Sequence, residues 1–203
     1  MSGFGDRLRA WSGLYRTREI ELDTHHLTIP PGVLDPILFR SGAVLSRFMR
    51  AQVEPGQRVL DLGCGSGAVG VLCQSAGASV CCTDVDPRAC DAARSNGIDD
   101  VRQGSLFQPV DALRFDHIAF NPPYLRGDPV SHPLGVALYG GPELDLIRQF
   151  LSEVTNYLNP RGRAWLILSS LEPAAAALLD SSWKLQTETQ IEDEVLSIYG
   201  YQD

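Results

Sequence analysis

The sequence is poor in positive charge. Its 203 residues include 17 lysines and arginines against 25 aspartates and glutamates, which gives a formal net charge of −8 at pH 7. Non-specific affinity for nucleic acid comes largely from lysine and arginine contacts with phosphates. The composition therefore makes nucleic acid a less expected partner than a protein or a small molecule, and an RNA or DNA substrate would need a local basic patch.

Long apolar runs are also missing. No stretch approaches the ~20 consecutive apolar residues that a membrane-spanning helix requires. The charged residues near the N-terminus are not followed by the apolar segment of a signal peptide. We therefore expect a cytoplasmic protein with no membrane partner. The sequence contains neither repeats nor low-complexity tracts, and 44% hydrophobic residues suffice for the core of one ordinary domain.

Paired cysteine motifs are absent as well. The five cysteines form an odd set without a C-x-x-C spacing, and most have apolar or small neighbours, so we expect buried, reduced thiols. These are Cys64, Cys73, Cys81, Cys82 and Cys90. The adjacent His25 and His26 point in diverging directions and have no further ligand at a suitable spacing. We predict neither a disulfide nor a metal site.

From residue 58 onward, short apolar runs alternate with helical stretches. This pattern is typical of a Rossmann-like, doubly wound, mostly parallel α/β sheet with helices on both faces. The predicted strands are 58–62, 79–83, 101–103, 117–120 and 164–168, and the predicted helices are 41–51, 70–76, 87–96, 143–158 and 173–179. The last two runs, 184–189 and 195–199, are predicted to pair as a hairpin. Earlier in the chain we expect a short helix and a strand near residues 20–22.

The strongest local signal is the segment Val59-Leu-Asp-Leu-Gly-Cys-Gly-Ser-Gly67. An apolar strand carrying Asp61 runs into three alternating glycines, where the chain must turn tightly and approach a ligand closely. A second acid, Asp84, closes the next predicted strand, a position from which a carboxylate accepts ribose hydroxyls. The segment therefore predicts a nucleoside-containing cofactor.

Two cofactor classes compete for this loop. Residues 65–70 also fit the dinucleotide pattern G-x-G-x-x-G, which is a weak signal alone. A dinucleotide places its pyrophosphate at the helix N-terminus, where Asp61 would repel it. S-adenosylmethionine carries an ammonium and a sulfonium, which Asp61 would attract. The acid therefore favours S-adenosylmethionine over NAD.

A second motif, Asn121-Pro-Pro-Tyr124, follows the predicted strand 117–120 and should face the same crevice. The Asn121 side-chain oxygen and the Pro122 carbonyl can accept the two N–H bonds of a planar amide or aromatic amine, which holds that nitrogen for attack. Pro122 and Pro123 keep the backbone fixed, and Tyr124 can stack on the planar group. The motif predicts methyl transfer to a planar nitrogen.

Together these residues resemble the class I methyltransferases of the small-domain group, in particular the release-factor glutamine methyltransferases. The segment 137–141 followed by Leu144-Asp145 also resembles the glutamine-specific branch. The resemblance implies a seven-stranded sheet with an antiparallel last strand and an S-adenosylmethionine site. The residues expected around that cofactor are Asp61, Gly63, Cys64, Gly65, Gly67, Asp84, Val85, Ser105, Leu106 and Asn121.

Two departures from the family pattern stand out. Ser105 occupies the place of an acid that usually contacts the adenine amino group, and a hydroxyl is a weaker acceptor than a carboxylate. Only about 50 residues precede the first core strand, where the bacterial enzymes carry a helical substrate-binding domain. We therefore divide the chain into an extension, 1–50, of short helices that covers substrate or cofactor, and a methyltransferase domain, 51–203.

The methyl acceptor is the least determined part of this interpretation. A protein glutamine, as in a translation factor, ranks first, a nucleobase amine of tRNA or rRNA second, and a small-molecule amine third. A non-catalytic domain that kept its cofactor site is a further class, which the intact motif at 121–124 argues against. Ser41 is predicted to cap its helix, while the resemblance implies that its region closes over the methionine end of the cofactor. His132 is expected in a solvated loop.

Overall fold

The computed structural model describes residues 16–128 and 134–201, so the helix predicted before residue 20 and His132 lie outside the described residues. The strands are β1 Arg18–Leu22, β2 His25–Ile29, β3 Arg58–Leu62, β4 Ser79–Asp84, β5 Asp100–Gln103, β6 Phe115–Phe120, β7 Leu158–Ser169, β8 Trp183–Ile191 and β9 Glu194–Tyr201. The helices are α1 Pro36–Phe39, α2 Ser41–Gln52, α3 Ala68–Ser75, α4 Pro87–Ser95, α5 Gly135–Leu138, α6 Asp145–Glu153 and α7 Pro173–Ala176.

Seven of these strands form one sheet in the order β5-β4-β3-β6-β7-β9-β8. The first five run parallel, and β9 runs antiparallel to both of its neighbours. The predicted fold class and the closing hairpin are therefore confirmed. Strand order reverses between β3 and β6, and ligands of open α/β sheets bind at the carboxyl ends of the strands on either side of such a point.

Two predicted helices are shorter in the structure. Leu144 has a φ of 59°, outside the helical region, so α6 begins only at Asp145. After Glu153 the chain tightens into a 3-10 turn, Val154–Tyr157, because Leu158 already pairs with β6 as the start of β7. The helix predicted at 173–179 ends at Ala176.

The sequence predicted only one of the two strands in the hairpin of β1 and β2. The sequence indicated a strand near residues 20–22, but not its partner, because β2 opens on two histidines. In the structure, the apolar residues of both strands are buried in a cluster with α3 and α4. The hairpin thus covers the helical face of the sheet rather than extending the sheet itself.

Asn96 ties this hairpin to the glycine-rich loop. Its Nδ2 donates to the carbonyl oxygens of Thr28, at 3.1 Å, and Ser66, at 2.9 Å, and its Oδ1 accepts from the Thr28 N–H at 2.8 Å. One side chain therefore fixes β2 relative to the loop after β3. The segment that follows β2 is consequently held over the carboxyl edge of the sheet.

The five cysteines are free thiols and all are buried. Among residues 16–128 and 134–201, no three histidine, cysteine or acidic side chains are grouped to hold a metal ion. In the same part of the chain, no helix combines the length and apolar character needed to cross a bilayer.

Candidate active site

A cleft that is partly open to solvent lies at the carboxyl ends of β3, β4 and β6. Its floor is formed by the loops that follow these strands, and one wall is formed by residues 32–42, between the hairpin and α2. The position is the one that the strand-order reversal predicts for a ligand.

The glycine-rich loop after β3 has the backbone that its sequence requires. Gly63, Gly65 and Gly67 have φ values of 64°, 55° and 79°, in the left-handed region that favours glycine. A Cβ at Gly65 would meet no atom within 4 Å, because this residue faces the open cleft. A Cβ at Gly67 would lie 3.1 Å from Ala93 Cβ, so this glycine serves the packing of the loop against α4.

Asp84, at the end of β4, braces the same loop. Its Oδ2 accepts the Gly65 N–H and its Oδ1 accepts the Asp86 N–H, each at 2.9 Å. Burial raises the pKa of Asp84 above its usual value, although these two N–H bonds act in the opposite direction. The carboxylate lines the cleft with its remaining lone pairs.

Asp61 lies on β3 and is only 3% exposed. Burial, and to a smaller extent the nearby Asp84, raise the pKa of Asp61 to about 7, although the Gly70 N–H that Oδ2 accepts at 3.0 Å acts in the opposite direction. Neither Asp61 nor Asp84 has a cationic partner among the described residues. Two acids, one buried and one partly buried, that face a cleft without a counter-ion form a site suited to a positively charged ligand.

Asn121 closes the cleft at the end of β6. Its Nδ2 donates to Ser41 Oγ at 3.1 Å, while its Oδ1 is buried and accepts no hydrogen bond from the described residues. A buried acceptor without a donor costs about 1–3 kcal/mol, and such groups in native proteins usually await a ligand or water. The structure corrects the prediction that Ser41 caps α2, because Arg40 occupies the cap position without a side-chain cap and Ser41 contacts Asn121 instead.

The segment after Asn121 is held by a short two-stranded contact. Leu125 N–H donates to Leu138 O at 3.0 Å, and Gly140 N–H donates to Leu125 O at 2.9 Å. A Cβ at Gly140 would lie 2.2 Å from the Pro123 carbonyl oxygen. The Gly-Gly pair at 140–141 is therefore the packing partner that allows residues 121–127 to adopt their path.

Most of the predicted site residues converge on this cleft. Those that line it are Asp61, Gly63, Cys64, Gly65, Asp84, Val85, Ser105, Leu106, Asn121 and Pro123. Gly67, Pro122 and Tyr124 are not among the lining residues, and Tyr124 is only 8% exposed within the core. Stacking of Tyr124 on a ligand and acceptance of an N–H by Pro122 therefore stay predictions.

The sequence did not identify most of the individual residues that form the two other walls. Residues 32–36, Phe39, Ser41 and Gly42 line one side, and Val136, Ala137 and Leu146 line another. For the first wall, the resemblance implied that the region of Ser41 closes over the cofactor, and the segment 1–50 was predicted to cover substrate or cofactor. The resemblance at 137–141 pointed to the second wall without assigning it a role.

The residues that line the cleft fit S-adenosylmethionine. The glycines leave open a cradle that side chains would fill, and the two acids without counter-ions match the positive charges of the cofactor. A family model described as the methyltransferase small domain matches residues 40–194. The chain therefore belongs to this methyltransferase family, and S-adenosylmethionine is the cofactor of its site.

The chain resembles enzymes that modify proteins. It is 34% identical over 128 residues to the release factor glutamine methyltransferase of Xylella fastidiosa, an alignment covering 55% of this chain and 46% of that protein. It is 32% identical over 162 residues to a putative protein N5-glutamine methyltransferase of Methanocaldococcus jannaschii, covering 75% and 80% of the two chains. The chain thus spans about half the length of the bacterial relative.

The fold is also shared with an rRNA methyltransferase, whose substrate differs from those of the two relatives above. The solved structure of a T. thermophilus 16S rRNA N2 methyltransferase in complex with AdoMet and guanosine superimposes with a TM-score of 0.68 at 20% identity. The match covers 93% of this chain and 50% of that one. At this identity the likeness concerns architecture alone.

Proposed function

We propose that the protein transfers the methyl group of S-adenosylmethionine to the side-chain amide nitrogen of a protein glutamine. The observation that carries the proposal is the buried Oδ1 of Asn121, an acceptor without a donor at the edge of the cleft. A primary amide presents the N–H that this oxygen lacks. The names of the two relatives described above point to the same acceptor.

The cofactor, when bound, supplies an electrophilic methyl group on a sulfonium. An amide nitrogen is a weak nucleophile because its lone pair is delocalised. Asn121 Oδ1, and by the same proposal the Pro122 carbonyl, accept the amide N–H bonds and favour the charge that develops on nitrogen. Both groups are held by the chain before the acceptor arrives, so little reorganisation is required during transfer.

The charge of the cleft favours a neutral acceptor over a nucleotide. Its lining includes Asp35, Asp61, Asp84 and Asp86 but no lysine or arginine among the described residues. The lining also includes the apolar side chains of Phe39 and Val136. Asp35 and Asp86 pair with Arg18 and Arg88, so the negative charge that has no cationic partner comes from Asp61 and Asp84. These two acids would repel a phosphate, whereas an uncharged amide would be accommodated.

The test is transfer of labelled methyl groups. The purified protein is incubated with labelled S-adenosylmethionine and, separately, with release factors, ribosomal proteins and total RNA. Label that peptide mass spectrometry places on a glutamine, and that is lost when this glutamine is replaced by glutamate in the acceptor protein, supports the proposal. Label in RNA, or on protein side chains other than glutamine, contradicts it.

Affinity for S-adenosylmethionine is expected to rise with pH through neutrality. The raised pKa of Asp61, about 7, means that this carboxyl is mostly neutral at pH 5.5 and half ionised at pH 7. Since only the ionised form attracts a cation, the dissociation constant should be roughly tenfold larger at pH 5.5 than at pH 7. Calorimetric titration across this range measures it.

The matched control for this titration is Asp61→Asn, which cannot ionise. The variant should bind more weakly at pH 7 and lose most of the pH dependence. Asp84 also has a raised pKa. If Asp61→Asn kept the full pH dependence of the dissociation constant, the titrating group would be one other than Asp61.

Replacement of Asp84 with alanine should weaken cofactor binding by about 1.5–3 kcal/mol, the range for hydrogen bonds to charged groups. The proposed ribose contacts would be lost together with the brace on the glycine loop. Asp91→Ala is the control, since Asp91 pairs on the surface with Arg94. A dissociation constant for Asp84→Ala within twofold of that for Asp91→Ala would refute the assignment.

A further inference from the structure

The side-chain amide of Asn121 has two unlike ends. Its Oδ1 accepts hydrogen bonds, whereas its Nδ2 carries two donors. In the structure, Nδ2 is directed to Ser41 Oγ at 3.1 Å, which leaves Oδ1 as the end without a partner. The orientation of this amide therefore depends on a residue 80 positions earlier in the chain.

The reverse orientation would be unproductive. Rotation of the amide by half a turn would exchange the two ends and present N–H donors to the incoming nitrogen. A primary amide or an amine presents N–H donors itself, so donor would face donor. A hydrogen bond that holds the amide in the orientation of the structure thus determines whether Asn121 accepts from the substrate or repels it.

Ser41 itself is held firmly in its place. It is 4% exposed and begins α2 immediately after Arg40, whose φ of 70° sets the corner between α1 and α2. At Gly42 an added Cβ would lie 2.9 Å from Pro36 Cβ, so the corner is closely packed. Arg40 also forms an ion pair with Glu192, at 3.1 Å, in the turn between β8 and β9.

We propose that Ser41 is a positioning residue for methyl transfer: its hydroxyl accepts from Asn121 Nδ2 and thereby aims Oδ1 at the acceptor nitrogen. This inference rests on the proposed function only for the nature of that nitrogen. Ser41 need not touch the acceptor. Its loss should lower turnover and leave cofactor affinity nearly unchanged.

The variants separate the effect of the side-chain shape at position 41 from the effect of its hydroxyl. Ser41→Thr and Ser41→Val have nearly the same shape, but only threonine keeps the hydroxyl. Ser46→Ala is the control on the same helix, because buried Ser46 donates to Gly42 O at 2.6 Å and does not contact Asn121. Thermal midpoints and calorimetric titration with S-adenosylmethionine accompany each variant.

In turnover assays, with any acceptor that the wild type methylates, Ser41→Val and Ser41→Ala should fall about tenfold in kcat, the effect of one lost hydrogen bond. Ser41→Thr should recover most of that loss, and KM for the cofactor should stay within twofold. Equal turnover of the threonine and valine variants, or a fall in Ser46→Ala as large as in Ser41→Ala, would overturn the proposal.

A second readout needs no acceptor. In ¹⁵N NMR spectra with S-adenosylmethionine bound, the side-chain NH₂ pair that disappears in Asn121→Asp belongs to Asn121. It should exchange slowly with solvent in the wild type and in Ser46→Ala, and faster in Ser41→Ala. Unchanged exchange in Ser41→Ala would refute the positioning role even if no glutamine proved to be methylated, so the two proposals fail separately.

Discussion

Replacement of Asn121 with alanine should lower turnover by at least about 10²-fold, the loss typical when one preorganised polar group of an active site is removed. The residue supplies the buried Oδ1 that has no donor among the described residues, so the variant loses the acceptor that we propose for the substrate N–H. Cofactor affinity should change by less than about threefold, because the two acids and the glycine cradle are untouched. Steady-state kinetics and calorimetry with S-adenosylmethionine measure the two quantities.

The control for this variant is the same substitution far from the cleft. Asn159 donates to Asp116 at 2.7 Å, near the opposite end of β6, and Asn159→Ala removes a hydrogen bond of similar kind without altering the site. If Asn121→Ala kept more than a tenth of the wild-type turnover, the mechanism proposed for the amide would be wrong.

Gly140→Ala should also impair turnover strongly, although Gly140 is not a lining residue of the cleft. Its new Cβ would lie 2.2 Å from the Pro123 carbonyl oxygen, a backbone atom that cannot rotate away. The segment 121–124 must therefore shift by an appreciable fraction of an ångström or more. Displacements near 1 Å cost about 10²-fold in rate, so kcat should fall by roughly this factor.

A glycine in open space provides the comparison for Gly140→Ala. Gly97 has no atom within 4 Å of an added Cβ, so alanine would clash with no neighbour there. Its φ of 97° is unfavourable for alanine, so the strain would be confined to the backbone of this residue. Gly97→Ala should lower the thermal midpoint and leave kcat nearly unchanged. Comparable kcat losses in both variants would attribute the Gly140 effect to general destabilisation.

The parts of the site that the sequence predicted are local in the chain. The glycine loop and Asp84 each follow a buried strand directly, and Asn121 does the same at the end of β6. A parallel sheet places such ends side by side, so the pattern of strands was sufficient to bring these residues together. Ten predicted residues do line one cleft for this reason.

The parts that the sequence missed depend on contacts between distant segments. Ser41 meets Asn121 only because α1 and α2 fold back over the sheet edge. The role of Gly140 becomes visible only when residues 123–127 pair with 138–141. Neither contact has a periodicity or a spacing that a single sequence reveals, and a serine at a helix start fits a capping residue equally well.

The position of the N-terminal segment likewise depends on contacts with distant parts of the chain, which the sequence did not reveal. Residues 25–29 are short and begin with polar side chains, so they gave no clear strand signal, yet they fix the position of the wall at 32–42 through Asn96. The division of the chain at residue 50 stays a prediction, while the family model itself begins at residue 40.

The acids of the cleft have a consequence for what happens after each reaction. Methyl transfer converts a sulfonium into a neutral thioether, so the spent cofactor carries one positive charge fewer than the fresh one. In a cleft with Asp61 and Asp84 and no basic lining residue among those described, the lost attraction favours exchange of product for substrate. The ratio of the dissociation constant of the spent cofactor to that of S-adenosylmethionine should be smaller in Asp61→Asn than in the wild type. Such a result would show that the carboxylates promote release of the spent cofactor between turnovers.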